Sequence, residues 1–130
     1  MSHRILQPDG WARPHGYANG IAAEGRQVFV SGQIGWDAAQ RIVSDEFAAQ
    51  ARQALANIVA VLATTGAKPE HLVRLTWFVT SRDEYNAALR EIGAAYRELI
   101  GRHYPAMSVV VVAGLLEPRA KVEIEATAVI

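Results

Sequence analysis

Two acidic side chains near the C-terminus are the groups best suited by type and spacing to do chemistry. In Lys121-Val122-Glu123-Ile124-Glu125-Ala126-Thr127, polar and apolar residues alternate strictly. A β-strand sends successive side chains to opposite faces. Glu123 and Glu125 therefore share one face, and Val122, Ile124 and Ala126 share the other. A carboxylate in a covered, partly apolar site can exchange protons with bound water, which is general acid–base catalysis. The same carboxylate paired with Lys121, Arg74 or Arg119 would orient a surface and catalyse nothing. The spacing alone leaves both readings open.

Other chemistries find less support. The histidines, His3, His15, His71 and His103, include no i,i+4 pair and no HExxH motif, so a metal centre is not expected. Gly32, Gly35 and Gly66 form neither a GxxxxGK[ST] loop nor a GxGxxG loop, so no phosphate cradle is expected. Ser31 and Ser108 lack a nucleophile elbow. With no cysteine, thiolate catalysis and disulfide stapling are excluded, and a cytoplasmic location fits. The formal net charge of zero and the absence of a basic stripe argue against nucleic acid as a partner. No apolar run reaches membrane-spanning length, and the first residues lack an apolar targeting core.

These residues need a scaffold, and 130 residues suit one domain over the whole chain, 1–130. A short edge strand through Arg4, Ile5 and Leu6 leads to a turn at Pro8-Asp9-Gly10. Trp11 to Gly20 reads as irregular, either packed on a sheet by Trp11 and Tyr17 or lining a pocket. Gln27 to Ile34 reads as a strand with Gly32 marking a bulge. Ser44 or Asp45 can cap a helix running to about Thr65, with Phe47, Ala51, Leu55, Ile58 and Leu62 as its buried stripe and Asn57 facing solvent. His71 to Thr80 is a strand apolar on both faces, which suits a central position; its Arg74 either pairs or reaches solvent along its stem.

Ser81 and Glu84 have capping-box spacing and open a second helix to about Ile100, buried along Tyr85, Leu89, Ile92, Tyr96 and Leu99. Strands from Ser108 to Val112 and from Lys121 to Val129 close the chain. The expected fold is α+β, a mixed β-sheet with two helices packed on one face. The uncovered face carries apolar groups, and self-association through the sheets would remove them from water.

Several stretches carry a family resemblance. Gly16-Tyr17, Val30-Ser31-Gly32-Gln33-Ile34, the helical run from Gln50 to Ile58, Tyr104-Pro105-Ala106 and Val122-Glu123-Ile124-Glu125-Ala126 together resemble the Rid family, the RidA-type deaminases of reactive enamines and imines. The resemblance implies a chorismate-mutase-like sandwich, a homotrimer, and a small-molecule metabolite bound in an intersubunit cleft without metal or organic cofactor. It implies hydrolysis of an imine to a carbonyl compound and ammonia. It assigns water activation to Glu123, and ligand contact to Tyr17, Ser31 and residue 107. At that last position the family deaminases carry an arginine that grips the substrate carboxylate, and here Met107 stands there. Methionine offers neither charge nor a planar donor fork. A shifted, more apolar substrate is one expectation, with Arg13 or His15 entering the pocket from the loop before Tyr17, or Arg74, as a replacement for the missing arginine; a trimeric binding protein without catalysis is the other.

Overall fold

In the computed structural model, which describes residues 3–130, the main sheet has four strands. The chain runs through β1 (Arg4–Leu6), β2 (Gly20–Ala22), β3 (Gln27–Ile34), α1 (Phe47–Ala63), β4 (Leu72–Val79), α2 (Arg82–Ala87), α3 (Leu89–Leu99), β5 (Ala106–Val111) and β6 (Val122–Val129). The sheet order is β3-β6-β4-β5, with β4 and β5 parallel and the other neighbours antiparallel. β1 and β2 form a separate antiparallel pair. The expected α+β fold with a mixed sheet is what forms. The short strand β2 starts at Gly20, the end of the stretch read as irregular, and was not anticipated because Gly20-Ile21-Ala22 is too short to show a period.

All five residues of the expected α1 stripe are buried, together with Ala54. They join a single core with Leu75, Trp77 and Val79 of β4 and with Val122, Ile124 and Ala126 of β6. The alternation of β6 therefore works as read, with its aliphatic set under the helices. β4 is subtler. A register shift between Leu72 and Arg74 puts Leu72 rather than Val73 fully in the core, so simple alternation misplaces the first residues of that strand.

The second expected helix is two helices, broken at Ala88, whose φ and ψ of −98° and 4° leave the helical range. Ser81 Oγ accepts the Glu84 amide at 3.1 Å, as the spacing required. The break moves Leu89 out of the buried stripe, and it is half exposed. At the start of α1 neither Ser44 nor Asp45 is the cap. Glu46 holds that position without a side-chain bond, and Ser44 Oγ instead accepts the Glu46 amide at 3.0 Å.

Two polar residues of α1 fix how the helix sits. Gln50 is fully buried; its Nε2 donates to the carbonyls of Ser44 (2.9 Å) and Arg119 (3.0 Å), and its Oε1 accepts the Lys121 amide (2.8 Å). A Cβ at Gly35 would lie 2.5 Å from the Gln50 Cα, so glycine is needed for the chain to cross there. Asn57, expected in solvent, is half-buried and donates to the carbonyls of Ile34 and Trp36 at 3.2 and 2.9 Å. These bonds tie α1 to the end of β3 and to the lead into β6.

Replacing Gln50 by leucine leaves two backbone carbonyls and one amide without their partner. Buried unmet groups cost about 1–3 kcal/mol each before relaxation, so Gln50→Leu is expected to destabilise by on the order of 3 kcal/mol in urea unfolding. A loss below about 1 kcal/mol would show that water replaces these bonds.

Candidate functional site

The sheet sorts the candidate residues before any pocket is considered. Partners in register on adjacent strands point to the same side. Met107 is paired with Leu75, and Leu75 lies in the core under the helices. Met107 is therefore on the helix side. Glu123 is paired with Phe78, and Glu125 with Thr76, on the opposite side. Within one chain the sheet separates Glu123 from Met107.

On the helix side, between β5 and the α2–α3 pair, lies a cavity of about 540 Å³. Its deep wall is Trp77, Ile92, Tyr96 and Met107, and His15, Gly16, Tyr17 and Arg97 also line it. Tyr17 reaches it because the loop before β2 is fastened at both ends. The Ala18 amide donates to the Pro105 carbonyl at 3.0 Å, and Ala18 bridges Ala106 in parallel. Gln7 Nε2 donates to the carbonyls of Trp11 and Ala12, and Asn19 Nδ2 donates to Gln7 Oε1 at 2.7 Å. Gly16 adopts a φ of +79°, which suits glycine. The loop is thus the pocket wall that one of its two readings anticipated.

The aromatic groups are ordered. Tyr96 stacks on Tyr104 at 5.3 Å and donates its hydroxyl to the His103 carbonyl at 2.6 Å. Tyr85 meets Trp77 edge-on at 6.3 Å and Phe47 at 6.1 Å. Burial raises the pKa of Tyr85, and burial followed by the nearby Tyr104 raises that of Tyr96. Both phenols therefore stay protonated through neutral pH and serve as donors, not as bases. The Trp77 indole is almost wholly buried, and its Nε1 has no hydrogen-bond partner among the described residues.

On the open face, Glu123 occupies a second depression of about 270 Å³ with Gly32, Ile34, Trp36, Leu116 and Glu117. The register shift between Val30 and Gln33 brings Gly32 against its side chain. A Cβ at Gly32 would come within 2.3 Å of Glu123 Oε2. Among the described residues Glu123 makes no side-chain hydrogen bond and no salt bridge. Its candidate partners are engaged or distant in role. Lys121 approaches Glu84 at 3.4 Å, Arg119 binds Asp45 at 2.9 Å, and Arg74 is exposed without a salt bridge.

Of the residues singled out in the sequence, Tyr17 and Met107 thus come together, Glu123 lies across the sheet, and Ser31 precedes the glycine that Glu123 covers. Ser31 is exposed, and its carbonyl accepts Gln33 Nε2 at 3.1 Å. Arg13 is exposed and does not line the cavity. Trp77, Tyr85, Tyr96, Tyr104 and Arg97 were not anticipated as lining residues. The helical stripe that contains Tyr85 and Tyr96 reads as core, and it is core, but the same residues also border the cavity. Among the described residues no group of acidic, histidine or cysteine side chains could hold a metal, and no helix is long and apolar enough to cross a membrane.

Gly32→Ala should push the Glu123 carboxylate out of its place while leaving the fold intact, because the clashing atom is the mobile end of a side chain. The expected result is a thermal midpoint near that of the unaltered protein with loss of any Glu123-dependent activity. Full activity in that variant would show that the position of Glu123 is unimportant.

The Endoribonuclease L-PSP family profile matches residues 11–130. A 2-iminobutanoate/2-iminopropanoate deaminase from Salmonella typhimurium is 34% identical over 132 residues, covering 99% of this chain and 98% of its own. Protein DfrA from Myxococcus xanthus is 38% identical over 137 residues, covering 99% and 97%. Among solved structures, a protein of unknown function of the conserved Rid protein family from Yersinia pestis aligns over 100% of both chains with a TM-score of 0.86 and 33% identity. RidA from a Psychrobacter species aligns over 98% of this chain and 99% of its own, with a TM-score of 0.70 and 26% identity.

Proposed function

We propose that this chain, which belongs to the Endoribonuclease L-PSP or Rid family, is a cofactor-independent imine deaminase whose site is completed by a second copy of itself. The observation that carries the reading is the free Glu123 carboxylate seated against Gly32. Glu123 would hold a water and take its proton as the oxygen attacks the imine carbon. The C=N electron pair moves to nitrogen, which is protonated. In the resulting carbinolamine the hydroxyl proton passes by way of the carboxylate to nitrogen, the oxygen electron pair forms the C=O bond, and the C–N bond breaks to release ammonia and leave a carbonyl compound. Every electron pair and proton in this sequence comes from water, the imine and the carboxylate.

Opposite faces of one sheet cannot present Glu123 and the Tyr17–Met107 cavity to one substrate. A second copy, setting its open face beside the β5 edge, would bring its own Glu123 to the cavity. The open face has reason to be covered, since Phe29 is 71% exposed and Val110, in register with Phe78, lies bare on the edge strand. A closed ring of three copies would use every such surface, which supports a homotrimer with its ligand in an intersubunit cleft.

Met107 favours a change in substrate relative to proteins with an arginine at that position. It equally suits the second reading, a trimeric metabolite-binding protein that no longer turns its ligand over. One assay separates the two. Purified protein mixed with freshly generated imines should release ammonia faster than buffer, and Glu123→Gln should lower kcat by about 10²-fold or more, the scale of a lost general base. No acceleration with any imine, charged or uncharged, would contradict the deaminase reading and leave the binding protein.

A further inference from the structure

The cavity beneath α2 and α3 carries a charge that no described residue neutralises. Arg97 is its one permanently charged lining residue, and no aspartate or glutamate lines it. Arg97 forms no salt bridge among the described residues, and unlike the similarly unbridged Arg74 and Arg90 it lines this cavity. Its guanidinium folds back along α3 over Gly93, where a Cβ would stand 3.3 Å from Nη1. A larger residue at 93 would compete with the arginine for that space, so the glycine leaves the guanidinium room at the cavity wall. The hydroxyls of Tyr17 and Tyr85 have no hydrogen-bond partner among the described residues. Burial keeps Tyr85 in its donor form. The polar groups available to a guest are thus mainly donors, gathered around an apolar body of Trp77, Ile92, Met107 and Val109.

We propose that Arg97 is the anion-binding residue of this cavity and that the ligand it holds is a carboxylate carrying a bulky apolar or aromatic side chain. The planar fork of Arg97 matches a carboxylate bidentately. The side chain of the acid lies inward against Met107 and Trp77, where a thioether adapts to ring or branched shapes. About 540 Å³ is ample for such a molecule and falls in the usual range of small-molecule sites. Arg97 is exposed at the surface, so the carboxylate and the carbon next to it sit at the opening. That placement rests on the deaminase reading only for its consequence, that the reacting carbon faces the partner's open sheet face. Binding itself does not depend on turnover.

The test is calorimetric titration of the full-length protein with phenylpyruvate, which has the expected carboxylate and ring but no imine to hydrolyse. Phenylacetone, which lacks the carboxylate, is the comparison ligand. Arg97→Met should weaken phenylpyruvate about tenfold or more, the scale of a lost charge-assisted hydrogen-bonded pair. Arg97→Lys should recover part of that loss, and Arg90→Met, which changes an arginine outside the lining of this cavity, should bind as the unaltered protein does. Phenylacetone should bind the unaltered protein more weakly than phenylpyruvate. Unchanged phenylpyruvate binding by Arg97→Met, or no binding by the unaltered protein, overturns the inference. A protein that binds phenylpyruvate through Arg97 yet releases no ammonia from imines would retain this inference and lose the deaminase reading.

Discussion

A β-strand has only two faces, and that constraint governs this molecule. β6 spends one face on the core, where Val122, Ile124 and Ala126 meet α1, and so must send Glu123 to the other. β5 pairs with β4 in a register that sends Met107 to the helix side. A one-residue slip in either strand would exchange these positions and expose the core set, at a cost of many buried methylene groups. The separation of the carboxylate from the cavity is therefore enforced by the same packing that makes the fold stable. It cannot be relieved by a rotamer change, and chemistry shared by the two regions calls for another chain.

Two buried polar devices hold these faces in place. Gln50 satisfies backbone groups on both the loop before α1 and the connection into β6. Asn57 anchors the end of β3 just past the bulge that carries Gly32. The position of Glu123 therefore depends on contacts in α1 that lie on the far side of the sheet. The Tyr17 wall has its own fastening, through Ala18 to Pro105, and depends on Gln7 and Asn19 for its shape. Both the strand that carries Glu123 and the loop that carries Tyr17 are braced by hydrogen bonds made away from these two side chains.

Much of this was legible in the residues. The period-two pattern of β6 correctly paired Glu123 with Glu125, and the helical period of α1 correctly marked its buried stripe. Gly32 signalled its bulge. Where the pattern failed, a tertiary contact had overridden it. Asn57 looked like a surface residue because a lone polar side chain carries no sign of the carbonyls waiting beneath it, although Gln50, Gln53 and Asn57 at i, i+3 and i+7 share a helix face. The α2–α3 break has no proline or glycine at Ala88 to announce it. Tyr85 and Tyr96 belong to the core as read, yet also line the cavity beside Arg97, a second role that a buried helical stripe does not announce.

The account rests on the claim that Glu123 of one copy serves the Tyr17–Met107 cavity of another. Mixed assembly tests it directly. Glu123→Gln and Tyr17→Ala chains, each inactive or nearly so, should be unfolded together, refolded and assayed for imine hydrolysis. If the site is shared, random mixing restores about one site in four with both native groups, and activity returns well above either parent. Activity no greater than the average of the two parents would place both groups in the service of a single chain and contradict the account.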